Sequence, residues 1–431
     1  MKSAFAEFDF KSQNGLDVDI TPPGEWMLAN LGIDLAAPEF RELPPCKRAQ
    51  YRAVKNWLTR YKLKPDASNL EKVRRYLEAF HHLCEVEDWE RAWGIITTSI
   101  NSSSHEELRI QLYVWAYNYE LIDMCQRLLS KLDSPRNAIL CQNLGIAYKN
   151  LGDHAKAMEY HQQNLTIALQ LSDLQGVHSS CGNLGVAYKN LGDYTTAIHY
   201  YWQSWTIALV LEDLQGMGTA LGNLGVAYNN LGDYTMAIEY HQQHLSIARQ
   251  IENCQEEGNA LANLGKTYLD LRAYAKAIDY SQQSLAIWQE IGHRYKEGIA
   301  LGNLGLAYYS LNDYTKAIDC QQRSLAISDE IGDRYGKAMD LCHLGAILAA
   351  LGQYSQSLEY LQKSIHICTK IGALFMEAYA LSQLTVVFLK LGNLSLALEY
   401  CDRALSISTE LGIPLAKECQ ELKEKLLLDR A

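Results

Sequence analysis

Leu221-Gly-Asn-Leu-Gly-Val-Ala-Tyr-Asn-Asn-Leu-Gly-Asp-Tyr234 decides the fold, because the chain writes versions of this stretch seven times. Its Asn-Leu-Gly triplet at Asn223 returns at Asn143, Asn183, Asn263 and Asn303, always 40 residues apart, and His343 and Gln383 hold the Asn place in two weaker copies. A fixed period of this size signals a solenoid of stacked units. The register divides the chain into 138–177, 178–217, 218–257, 258–297, 298–337, 338–377 and 378–417, each predicted to hold two helices. Leu221, Leu224, Ala227, Tyr228 and Leu231 make the apolar stripe of the first. Ala237, Ile238, Tyr240, Leu245, Ile247 and Ile251 make that of the second. Between them Gly232 suits the left-handed residue that ends a helix, and Asp233 suits the cap of the next. One such pair cannot bury both of its apolar sides alone, but a stack of pairs can. The expected class is therefore all-α.

Working outward, the helix predicted from Pro414 has an inner stripe of Leu415, Cys419, Leu422 and Leu426 and a charged outer face. Residues 418–431 form the remainder of this capping helix. On the other side, residues 46–137 are an N-terminal helical region, with helices over 46–62 and 67–86 split by Pro65-Asp66; Asp66 or Ser68 is placed to cap the second. Residues 70–103 and 104–137 look like two degenerate 34-residue helix pairs. Residues 46–75 carry ten Lys or Arg against two acids, either a solvated helix face or a docking surface for the acidic leader, an acidic partner or nucleic acid. Residues 1–45 hold five of the eight prolines and eight acids against three basic residues, and are expected to be a mostly irregular acidic leader. Its apolar piece Trp26-Met-Leu-Ala-Asn-Leu31 could dock elsewhere on the chain. One unit departs from the rest: Leu271-Arg272-Ala273-Tyr274 lacks both the glycine stop and the aspartate cap.

Composition narrows the function. The formal net charge of −11 argues against nucleic acid as a partner of the whole chain. No signal-peptide pattern and no long apolar run is present, and eleven singly scattered cysteines suit a reducing compartment, so a cytoplasmic protein without membrane contact is expected. Gly258 to Thr267 looks like a phosphate-binding loop, but six residues separate its glycines where four are needed. Gly216, Gly218 and Gly222 miss the dinucleotide spacing by one residue. His161 and His241 lie 80 residues apart and are expected to pack rather than to share a metal. No catalytic, cofactor or metal motif is found, so no enzyme is expected.

The pattern Asn-Leu-Gly-x-Ala-Tyr followed by Leu-Gly-Asp-Tyr-x-x-Ala-Ile resembles the tetratricopeptide repeat, with Gly225, Tyr228 and Ala237 in that family's close-packing positions. The 40-residue length looks like the subgroup that includes kinesin light chains, Pins-type adaptors and cyanobacterial multi-repeat proteins. The resemblance implies a right-handed superhelix of helix-turn-helix repeats, an α-solenoid whose first helices line a concave groove that takes extended peptides. Carried over by position, Asn143, Asn183, Asn223, Asn263 and Asn303 would face that groove. Each amide offers a donor and an acceptor to a peptide backbone. Neighbours would choose side chains: Ile146, Lys149 and Asn150; Val186, Lys189 and Asn190; Val226, Asn229 and Asn230; Lys266 and Asp270; Leu306 and Tyr309. The alternative for the ladder is structural, the amides bonding neighbouring helices. The expected function is a non-catalytic scaffold or adaptor that holds a protein or peptide ligand in the groove, with no cofactor. A second reading resembles the Rap-type peptide-sensing regulators, in which groove occupancy repositions the N-terminal helices. A third has the leader lying in its own groove.

Overall fold

The computed structural model describes residues 22–64, 66–100 and 106–430, with no β-strand among them. The chain divides into two compact halves, Met1–Glu212 and Asp213–Ala431.

The N-terminal half begins with α1 (Gly24–Asn30), α2 (Pro38–Arg41) and α3 (Pro45–Arg60). Half of residues 22–45 are thus helical where a mostly irregular leader was expected. Proline blocks a helix interior but not its start. Pro23 is the N-cap residue of α1, Pro38 opens α2 and Pro45 opens α3. Nor does this segment lie in a groove: Met27, Leu28, Leu31, Ile33 and Phe40 are buried in a core with Val54, Leu58, Tyr76, Phe80 and Ile95. Gly24 is required there, because a Cβ would collide with the Leu58 carbonyl. Residues 1–21 lie outside the described residues.

Next come α4 (Asn69–Glu85) and α5 (Trp89–Ile96), then α6 (Leu108–Val114) and α7 (Asn118–Leu128). Ser68 starts α4 in a reciprocal capping box with Glu71. The regular pairs follow as α8 (Ser134–Asn150) with α9 (His154–Leu171), and α10 (Leu174–Asn190) with α11 (Tyr194–Val210).

The C-terminal half continues the pattern. Its pairs are α12 (Leu214–Asn230) with α13 (Tyr234–Gln250), α14 (Cys254–Asp270) with α15 (Tyr274–Ile291), and α16 (Arg294–Ser310) with α17 (Tyr314–Ile331). Then follow α18 (Arg334–Ala350) with α19 (Tyr354–Ile371), α20 (Leu374–Lys390) with α21 (Leu394–Glu410), and the last helix, α22 (Leu415–Arg430). Each first helix starts four residues before the boundary read from the sequence, at 134 rather than 138 and at 214 rather than 218. The first turn differs from repeat to repeat and shows no shared apolar pattern, but Asp133, Asp173, Asp213, Asn253 and Asp333 mark the start by capping backbone N–H groups.

The turn within each pair follows the expected chemistry. Gly232 sits at φ +81° and the Asp233 carboxylate accepts from the Met236 N–H. In the fourth repeat Arg272 takes the left-handed conformation at φ +62°, and Ala273 caps nothing, yet α15 keeps its full length.

Two contacts lock the helices within a repeat. Tyrosines stack across the pair, as in Tyr228 with Tyr240 at 5.3 Å and Tyr268 with Tyr280 at 5.4 Å. A small glycine on the first helix receives a larger side chain from the second. Gly145, Gly185, Gly225, Gly265, Gly305 and Gly345 face His161, Tyr201, His241, Ser281, Gln321 and Leu361. His161 and His241 are therefore packing residues. Burial drives their imidazoles down to about 4 and about 3.

Candidate functional site

First helices of successive repeats touch one another: α8 meets α10 in the N-terminal half, and α12 meets α14, α14 meets α16, α16 meets α18 and α18 meets α20 in the C-terminal half. No comparable contact joins second helices of successive regular repeats, α9 onwards, among the described residues. In the regular repeats of each half, first helices therefore lie on the more tightly curved side.

The ladder residue is the tenth of each first helix, preceding a leucine that is buried in every repeat, from Leu144 to Leu384. Residues three and seven positions further on share its face. Asn183, Asn223, Asn263 and Asn303 are half-buried. Among the described residues their side-chain amides make no hydrogen bond within the protein.

Asn143 differs. Its Oδ1 accepts from Arg109 Nη1 at 3.5 Å, and its Nδ2 is buried without a partner. Arg109 belongs to α6 and is itself held by Glu107 at 2.6 Å. The sequence carried no signal for Arg109, because α6 belongs to a degenerate repeat. The ladder ends where the sequence weakens. His343 is buried, its ring edge-on to Tyr379 at 6.4 Å and held down near 4 by burial.

The lysines and the remaining polar residues divide by environment. Lys149 and Lys189 are half-buried, and among the described residues neither has a carboxylate partner. Burial, and then repulsion from Lys149, pulls the Lys189 ammonium below its ordinary value. This spot is therefore short of negative charge. Lys266 is the opposite case: its Nζ lies 2.6 and 2.7 Å from the Asp270 carboxylate oxygens, and Asn229 donates to the same carboxylate at 2.9 Å. Lys266 is neutralised within the protein, so it does not offer the free cation the sequence suggested. Asn150 is likewise taken, its Nδ2 donating to Asn118 Oδ1 at 3.3 Å. Asn190 and Asn230 are exposed. Tyr309 is half-buried against Tyr314 at 6.0 Å, with its hydroxyl pushed up by burial. Among the described residues no cluster of three or more His, Cys, Asp or Glu could hold a metal, and no helix is long and apolar enough to cross a membrane.

Family models described as tetratricopeptide repeat match residues 140–175, 178–204, 216–290, 267–330 and 296–370. The chain belongs to the tetratricopeptide repeat family. No curated protein matches it. Among solved structures it is similar to the signal-transduction ATPase with numerous domains from Pyrococcus horikoshii, which has a tetratricopeptide repeat sensor. There the TM-score is 0.55 at 19% identity, over 90% of this chain and 56% of that one, so the chain spans little more than half of that protein. It is also similar to the apo form of RapI, with TM-score 0.55 at 14% identity over 64% of this chain and 98% of that one. A Rap protein complexed with Competence and Sporulation Factor gives TM-score 0.51 at 15% identity over 83% and 99%. At these identities the likeness is one of fold.

Proposed function

We propose that the chain is a non-catalytic interaction scaffold whose first-helix face binds an extended peptide or partner segment. One observation carries the reading: Asn183, Asn223, Asn263 and Asn303 hold half-buried amides with no partner among the described residues. A structural ladder would have those amides bonded to neighbouring helices. Amides without a protein partner at a fixed repeat suit a ligand whose backbone supplies donors and acceptors at intervals. In the N-terminal half the unpaired Lys149 and Lys189 favour a ligand with a carboxylate there.

The test starts with peptides selected from a random library on the full chain, then compares binding to an Asn223→Ala, Asn263→Ala variant. Helicity and melting should hold while affinity drops roughly tenfold for two lost bonds. Loss of melting temperature with unchanged binding would establish the structural ladder instead.

A second reading, a Rap-like regulator, is favoured by one contact. Arg109 links the first ladder position to α6, and α1–α7 share their core with α8 and Ala157 of α9. A ligand at Asn143 competes with Arg109 and so reaches the N-terminal helices. Deleting residues 1–69 would strip Met27, Phe40, Val54 and Leu58 from that core. Arg109→Gln is the sharper test: peptide should then bind without altering hydrogen-exchange protection of α6 and α7. The same protection change in both proteins would dispose of this reading.

A further inference from the structure

Helix α3 carries charge of one sign. Residues 43–65 hold seven Lys and Arg and no Asp or Glu, in a chain of net charge −11. Its apolar side is already used: Tyr51, Val54 and Leu58 are buried in the N-terminal core. On another flank Arg48, Arg52 and Lys55 stand at i, i+4 and i+7, a single helical stripe, and Arg60 closes the helix. Arg52, Lys55 and Arg60 are exposed, and the Arg48 Nε is buried with no hydrogen-bond partner. Among the described residues none of these four has an ion-pair partner. Elsewhere cations are commonly matched, as in Arg249 with Glu257 at 2.8 Å, Arg294 with Glu330 at 2.6 Å and Lys363 with Glu359 at 2.6 Å.

We propose that α3 docks an acidic segment of a partner protein. The stripe complements carboxylates spaced one helical turn apart. A membrane is disfavoured because the apolar side of α3 faces the core. A nucleic acid is disfavoured by length and surroundings. Arg48 to Arg60 spans about 18 Å at helical rise, Lys62 and Lys64 extend the cations by only four residues, and a longer polyanion runs onto a chain of net charge −11. The site is separate from the ladder and does not rest on the peptide-binding reading.

The experiment measures anisotropy of fluorescein-labelled poly-L-glutamate with the full chain at low and physiological salt. The wild type should bind, more weakly as salt rises. Arg52→Glu with Lys55→Glu should weaken binding roughly tenfold, and Arg52→Gln with Lys55→Gln by less. The Gln pair carries the test if the Glu pair disturbs folding, which circular dichroism reports. Lys276→Glu with Lys370→Glu makes the same charge change elsewhere and should bind like the wild type. The proposal is overturned if the wild type ignores the polymer, or if the Lys276, Lys370 variant loses as much as the α3 variant. It also falls if an oligothymidylate of equal charge binds more tightly than the polymer and is lost with the same α3 residues.

Discussion

Asp340 should make the sixth repeat weaken as pH rises. This residue of α18 is fully buried; its Oδ2 accepts from the Ser328 hydroxyl of α17 at 2.9 Å, and its Oδ1 has no partner. Burial is the main force that pushes its carboxyl from 3.8 up to about 7; the hydroxyls of Ser324 and Ser328 oppose it, and Asp333 and Asp329 add to it. The folded chain thus keeps a proton that the unfolded chain gives up near 3.8. The stability from this group is full below that pH, falls as pH rises towards about 7 and stays lost above it. The total is at most roughly 4 kcal/mol. Asp340→Asn keeps an oxygen for Ser328 and cannot ionise. Its advantage over the wild type should grow by about 2–3 kcal/mol between pH 5 and pH 8. Hydrogen exchange of the α17 and α18 amides is the direct assay, because repeat stability is local. An identical pH response of wild type and variant in those helices would refute the reasoning.

Three further outcomes follow from the packing. Gly225→Ala should destabilise by about 1–3 kcal/mol, because its Cβ strikes the His241 ring, whereas Gly302→Ala, which meets nothing within 4 Å, should stabilise by up to about 1 kcal/mol in thermal melts. Arg272→Gly with Ala273→Asp restores the missing stop and cap of the fourth repeat and should add about 1–2 kcal/mol, read from denaturant midpoints. Burial holds the rings of His161, His241 and His343 near 4, 3 and 4, so the unfolded chain takes up protons near 6.5 that the folded chain refuses. Stability from these groups is present above that pH and is lost as pH falls towards 4. His161→Leu, which copies Leu361 at the matching place, should lessen the acid loss in melts run from pH 6.5 down to pH 4.5.

The regular part of the fold was legible because one period carried several independent signals at once. Leu224, Gly225 and Tyr228 marked the packing face, and Gly232 with Asp233 marked the corner. The first turns were missed because Leu214-Gln-Gly216 has no apolar stripe, although Asp213 was there to cap it. Helices α1 and α2 were missed because each is short and flanked by proline, and what holds them is tertiary. Arg75 donates to the Pro22 carbonyl at 3.0 Å, and Arg91 to the Leu31 carbonyl at 2.7 Å. At the candidate site the position of the Asn ladder was readable, but its satisfaction was not. The Lys266–Asp270 pair is a four-residue helical spacing open to inspection, whereas Asn229 reaching Asp270 and Arg109 reaching Asn143 are contacts between repeats.

The glycine sockets carry one more consequence. Each socket and the side chain that fills it belong to the same 40-residue repeat, so the lock travels with the repeat. Recombination that excises or duplicates one whole helix pair leaves every remaining socket matched, whichever of His, Tyr, Ser, Gln or Leu occupies it. Copy number can therefore drift without redesign of the packing within a repeat, and each gain or loss of an Asn-bearing copy changes the number of amide rungs by one.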